Sequence, residues 1–349
     1  MINPALSSLY QWKMDQDANS VVVELPFPET PFNPEILTVS LQEDKAILIV
    51  EIPGEIPFIQ GVLYKECKSF TSRFDDNSFY LTLNKEDSEI WPYLMSDFNP
   101  NNSKMDPKSS YDLFDFAQKT QNPDMIQKSM NYLDISISEG YVPALRLASE
   151  ISLRSKENIE LGMNLLKIAA YTYQDVSSML KLALHYEMNK DTIDDAFTLF
   201  TTAAKKGAIL GMSFLGQMIS PLSDISFHHK DAIKAAQLFE SVLENDPDEC
   251  VSLYEYSKLL YFGVGVNEDK NKALDMYNKV KLSEPSIPPL ESLTFDESVL
   301  NGGKTGENGK QSKKEKKKFL NPFNSIVIIS CISFILASAS ILYVRKRRK

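Results

Sequence analysis

The sequence predicts a multidomain chain: an N-terminal antiparallel β-sandwich, then an all-α helical-repeat solenoid, then one C-terminal transmembrane helix. Three observations predict it. Apolar residues alternate with period two through residues 10–95. From Tyr111 the period becomes 3.6, and marker positions recur at intervals of 33 to 39 residues. Residues 326–344 form a run of 19 without a charge. The expected divisions are a sandwich over 1–98, helical repeats over 99–284, a flexible basic linker over 285–324, a transmembrane helix over 325–344 and a basic tail over 345–349.

The sandwich is read from short runs rich in Val, Ile, Leu, Phe and Tyr: "SVVVELPFP", "ILTVSLQEDKAILIVEI" and "SFYLTLN". In the last, Phe79, Leu81 and Leu83 alternate with Tyr80, Thr82 and Asn84, so one face is buried and the other wet. "QEDK" after Leu41 is expected to be a hairpin loop. About seven short strands fit ~90 residues of antiparallel sandwich.

Three stretches in order carry a family likeness: "YQWKMDQDANSVVVELP" with Trp12, "GEIPFIQGVLY", and "SEIWPYLM" with Trp91 and Pro92. On these the N-terminal quarter resembles CS domains of the NudC type. It departs from them at Phe74, where the family often has Trp. The resemblance implies docking onto chaperones, notably the ninety-kilodalton heat-shock chaperone, or onto their clients. From the residues alone, Trp12 and Trp91 are packing residues that close the sandwich.

The helical part is read from aligned positions. Ser129, Gly162, Ala196, Ala235 and Ala273 mark the second helix of successive pairs, in steps of 33, 34, 39 and 38. The first helices repeat a large residue, a small one and an apolar one three further on: Leu147-Ala148-Ile151, Leu182-Ala183-Tyr186, Leu215-Gly216-Ile219 and Tyr256-Ser257-Leu260. The small residue lets the neighbouring helix approach closely. "GVGVNEDKNKALDMY" is read as a turn between helices, Gly263 ending one and Asp269 starting the next. A dinucleotide loop would follow a strand and carry a third glycine, and a Walker loop would carry Gly-Lys-Ser/Thr. The pattern Gly263, Gly265, Val266, Asp269, Lys272, Ala273 and Tyr277 resembles Sel-one-like repeats, relatives of the tetratricopeptide repeat.

The run at 326–344 is about 28 Å long as a helix, close to the ~30 Å hydrocarbon thickness of a bilayer. Ile326, Ile335 and Val344 mark its start, middle and end, and "KKEKKK" and "RKRRK" flank it. The expectation is a single-pass tail anchor with the N-terminal body in the cytosol. The basic tail suits the mitochondrial outer membrane or a peroxisome, and the Ile-rich start suits the endoplasmic reticulum. Residues 313–318 are also placed to attract anionic headgroups.

Charge and chemistry narrow the function. Residues 313–349 hold ten Lys/Arg and one Glu, a net of +9, so the whole-chain −10 leaves −19 on residues 1–312. An acidic body without a basic stripe argues against nucleic acid. Cys67, Cys250 and Cys331 are far apart and none lies beside a histidine, which argues against a disulfide framework or a zinc site. His185 is read as a helix residue, and His228-His229 lie in the irregular insert "SDISFHHKD" without identified partners. No known catalytic spacing occurs. The expectation is therefore a non-enzyme with no catalytic, cofactor or metal residues and no small-molecule substrate. It is a membrane-anchored adaptor or co-chaperone that binds proteins. The alternative is a scaffold subunit of a membrane quality-control or tethering complex. On the first helices, Leu182, Leu215 and Leu259 are expected to face the core. Helical phasing leaves Lys181, His185, Gln217 and Lys258 outside the packed stripe, as partner-binding residues.

Overall fold

The structure, a computed structural model, describes residues 1–29, 31–42, 46–75, 77–100, 104–120 and 123–293. The described residues form two compact units, divided between Leu182 and Ala183, which are described separately.

The first unit opens with the sandwich. Strands β1 (Lys13–Gln16), β2 (Ser20–Pro26), β3 (Thr38–Gln42), β4 (Ile47–Glu51), β5 (Ile59–Leu63), β6 (Cys67–Asp75), β7 (Ser78–Lys85) and β8 (Met95–Asp97) form two antiparallel sheets. Their orders are β1-β2-β7-β6 and β3-β4-β5-β8. Val21, Val23 and Leu25 stand opposite Leu83, Leu81 and Phe79, and all six are buried. This is the alternation expected of β7, because period-two side chains reach opposite faces. β3 and β4 pair antiparallel, as a hairpin requires; its tip, residues 43–45, lies outside the described residues. One more strand is present than expected. β8 pairs with β5 across a register shift at Val62/Leu63. Trp12 and Trp91 are both buried, and the Trp12 indole donates to the Phe58 carbonyl at 3.0 Å.

Helices α1 (Pro107–Thr120), α2 (Pro123–Ser138), α3 (Val142–Leu153) and α4 (Ile159–Lys167) complete this unit, with α5 (Val176–Glu187) starting in it. The sandwich core continues into the helices: Leu9, Trp12, Phe58 and Trp91 share one buried cluster with Leu113, Tyr132, Leu133, Tyr141 and Ala144.

The second unit holds α6 (Ile193–Lys205), α7 (Ile209–Ile219), α8 (Ala232–Asn245), α9 (Cys250–Phe262) and α10 (Lys270–Ser283). Consecutive helices pack, and α7 also meets α9. The expected small positions are all buried: Ser129, Gly162, Ala196, Ala235 and Ala273 on even-numbered helices, Ala148, Ala183, Gly216 and Ser257 on odd-numbered ones. Close approach is literal at Gly216, where an added Cβ would sit 2.7 Å from the buried Phe239 ring. Leu182, Leu215 and Leu259 face the core as expected.

Gly263 ends α9 in the left-handed region (φ 65°), and the Asp269 carboxylate accepts the Lys272 N–H at 3.0 Å to start α10. "GVGVNEDK" is thus a capped turn between helices.

The linker expected from residue 285 begins with a packed stretch. Ile287 and Leu290 are buried, and the Tyr277 hydroxyl donates to the Ile287 carbonyl at 3.4 Å. Burial of these two apolar side chains, each next to a proline, favours a packed over a free stretch here. Among the described residues no helix is long and apolar enough to cross a membrane. The rest of the linker, the expected span with Ile326, Ile335 and Val344, the tail, and Cys331 lie outside the described residues.

Candidate protein-binding surfaces

In the first unit, α1 lies across one side of the sandwich and the two together build a groove of about 660 Å³. Asp106 sets the approach of α1. It caps the helix through the Ser109 N–H (2.8 Å) and bonds to β5. Helical spacing then brings Lys108, Asp112 and Phe116 to one face, toward Trp12 and Tyr93. Lys108 Nζ lies 4.0 Å above the Trp12 ring and 2.6 Å from Asp112 Oδ2. Burial raises the Asp112 pKa, opposed by the Lys108 ammonium. The Phe116 ring meets Tyr93 edge-on at 4.8 Å, and Tyr93 meets Tyr64 at 5.2 Å. Exposed Lys13 and Lys119 rim the groove. Aromatic walls, a cation held over indole and a charged rim are the means by which proteins grip amphipathic segments.

The four predicted contact residues fare differently. Lys181 forms an ion pair with Glu150 of α3 and is half-buried. His185 is exposed. Gln217 and Lys258 do not lie outside the packed stripe: they are 8% and 4% exposed. Lys258 Nζ is 2.7 Å from Glu255 Oε2, donates to the Leu222 carbonyl at 3.1 Å and lies 4.8 Å from the Tyr254 ring. Gln217 Nε2 donates to Glu255 Oε1 at 3.4 Å. The structure therefore gathers Gln217 and Lys258 around Glu255, itself 3% exposed.

The physical reason is the insert after α7. Residues 221–230 fold over this α7–α9 face. Lys230 Nζ donates to the carbonyls of Met218 (2.9 Å) and Ile225 (2.7 Å). Ile225 and Phe227 are buried, and the Phe227 ring stacks on Phe197 of α6 at 4.9 Å. Burial pushes the Lys230 ammonium down to about 8 against the pull of Glu255, and the half-buried Glu187 carboxyl up to about 7. His228 Nδ1 lies 3.8 Å from Asp194 Oδ1 at the surface.

Sequence reasoning missed Glu255 and Tyr254, though a signal was present. "LYEYSKLLY" puts Glu255 and Lys258 at i,i+3, a pairing distance, on a helix whose remaining positions are mostly Leu and Tyr. The Trp12–Phe116 groove had no comparable signal, since its halves are a hundred residues apart.

No protein-family model matches the chain, and no curated protein matches it. Among solved structures it is similar to a Sel1 repeat protein from Oxalobacter formigenes, at 17% identity over 51% of this chain and 74% of that one, with a TM-score of 0.41. It is also similar to the nuclear movement protein from E. cuniculi GB-M1, at 18% identity over 24% of this chain and 98% of that one, TM-score 0.21. A third is the CS1 domain of USP19, at 24% identity over 24% and 95%, TM-score 0.20. CS-domain matches fall on the N-terminal part and Sel1-repeat matches on the helical part. These likenesses concern fold alone.

Proposed function

We propose that the chain is a membrane-anchored adaptor of the co-chaperone kind, facing the cytosol, which works by binding proteins and not by catalysis. The observation that carries this reading is the groove between β1, residues 92–94 and α1, where Tyr93 and Phe116 present aromatic surface beside the buried Trp12, inside a rim of both charges. The repeat array adds a second surface of the type that stacked helix pairs offer to partners. Residues 326–344, uncharged between basic flanks, supply the anchor. The mitochondrial outer membrane, the endoplasmic reticulum and the peroxisome are its candidate sites.

The test uses full-length, membrane-inserted protein carrying Lys13→Glu and Lys119→Glu, compared with the wild type by proximity labelling. The adaptor reading expects a defined subset of labelled proteins to disappear while the melting temperature stays unchanged. An identical labelled set in both would remove the groove from the account. A scaffold subunit of a quality-control or tethering complex is the second reading, favoured by the core shared between sandwich and α1–α3. It expects the same partners with an altered complex size.

A further inference from the structure

Residues 221–230 are more than a long connection. We infer that they form a displaceable strap, occupying in cis a peptide-binding face built by α6, α7 and α9. The partner that fits this face is an extended segment with two apolar side chains two residues apart and an accessible main-chain carbonyl three residues before the first of them. The inference deepens the protein-binding reading above and rests on it.

Three observations carry it. First, the repeat closes without the strap. The Asp231 N–H donates to the Ile219 carbonyl at 2.8 Å, as Asp269 N–H does to Leu260 at 3.0 Å in the next repeat. Asp231 then caps α8 through the Lys234 N–H (3.0 Å), as Asp269 caps α10. The strap is an excursion from a joint already made.

Second, the strap is held as a bound peptide would be. The Lys258 ammonium of α9 grips its main chain at the Leu222 carbonyl, and the strap's own Lys230 reaches back to the Met218 carbonyl of α7. Ile225 and Phe227 are buried, while Asp224, Ser226 and His228 are exposed. That is the period-two alternation of an extended segment laid on a surface.

Third, the covered face has the chemistry of a surface. Gln217, Glu255 and Lys258 stand together as a buried polar cluster in this face, and Lys258 reaches from it to the strap's Leu222 carbonyl. An ion pair is a costly way to build a permanent core and a usual way to build a recognition site.

Full-length protein provides the test, with a fluorescein-labelled peptide of residues 220–230 as the probe. Ile225→Ser/Phe227→Ser should loosen the strap. Because a face occupied in cis binds in proportion to the fraction open, the loosened protein should bind the peptide about tenfold or more tightly than wild type. The same peptide carrying both Ser changes should not bind it. A loosened protein that keeps its melting transition and still ignores the peptide overturns the inference.

Hydrogen exchange on the unmodified protein decides independently of how the variant folds. Amides of 222–229 should exchange through a local opening while those of α7 and α9 stay protected. Exchange of strap and α9 at one common rate would show that the strap leaves only on global unfolding, and would overturn the inference. Lys13→Glu/Lys119→Glu leaves this face untouched. Loss of the groove reading with peptide binding retained would therefore separate the two failures.

Discussion

Asp106 and Gln60 exchange two hydrogen bonds: the Asp106 N–H donates to the Gln60 carbonyl at 3.0 Å, and the Gln60 N–H donates to Asp106 Oδ2 at 2.9 Å. A side chain thus takes the place of a neighbouring strand along β5. Its other oxygen caps α1 through Ser109. One residue fixes both the start of α1 and its seat on the sandwich, and so places Lys108 and Phe116 opposite Trp12 and Tyr93. Asp106→Ala would leave buried N–H groups unsatisfied and should cost about 1–3 kcal/mol in urea unfolding.

The same carboxyl predicts a pH dependence. Burial outweighs its backbone donors and pushes its pKa up to about 6. A folded value above the unfolded ~3.9 means that the contribution is fully present below about pH 4 and is lost as pH rises through 6. At 1.36 kcal/mol per unit the loss is roughly 2–3 kcal/mol. Denaturant unfolding from pH 4 to 7 should show this slope in wild type and a flatter one in Asp106→Asn. Identical slopes would mean that the carboxyl is not the titrating group.

The buried pair in α9 should behave asymmetrically. Lys258→Met leaves the Glu255 carboxylate without its cation and should cost about 3–5 kcal/mol, whereas Glu255→Met/Lys258→Met should recover most of that loss. A double-mutant cycle measures the difference. Simple additivity of the two single changes would contradict the packing described here.

Gly216→Val drives a branched side chain into the Phe239 ring, which is buried and cannot step aside. Overpacking of this kind should lower stability by about 1–3 kcal/mol, read as a drop in melting temperature. An unchanged transition would show that α7 and α8 sit further apart than the structure has them.

On the anchored reading proposed above, removal of residues 319–349 should release the protein from membranes, because 326–344 is an uncharged run long enough to span hydrocarbon. Carbonate extraction reads the outcome. A truncated protein that stays in the membrane pellet would place the anchor elsewhere.

Local patterns were legible in the sequence and long-range landings were not. Phe79, Leu81 and Leu83 announced a buried strand face by alternation alone. Ala196, Ala235 and Ala273 announced the helix pairs by recurrence, and Gly263 with Asp269 announced the caps by their backbone preferences. Gln217 and Lys258 were misplaced because phasing shows which side of a helix a residue occupies, not what later folds over that side. What covers them is "PLSDISFHHK", whose composition reads as surface loop. The union of sandwich and α1–α3 was equally hidden. Tyr132, Leu133 and Tyr141 complete a core begun by Leu9 and Trp12, and periodicity carries no record of partners so far along the chain.

That union sets an order of events on the ribosome. Ile2 is buried by residues made much later: its N–H donates to the Glu139 carbonyl at 2.6 Å, and its own carbonyl accepts from the Tyr173 hydroxyl, 171 positions on. At ~5–20 residues per second, Ile2 waits on the order of 10–30 s for Tyr173 to be synthesised. During that interval the segment before β1 lacks both partners that hold Ile2, so its first residues dock only after every strand of the sandwich has been made.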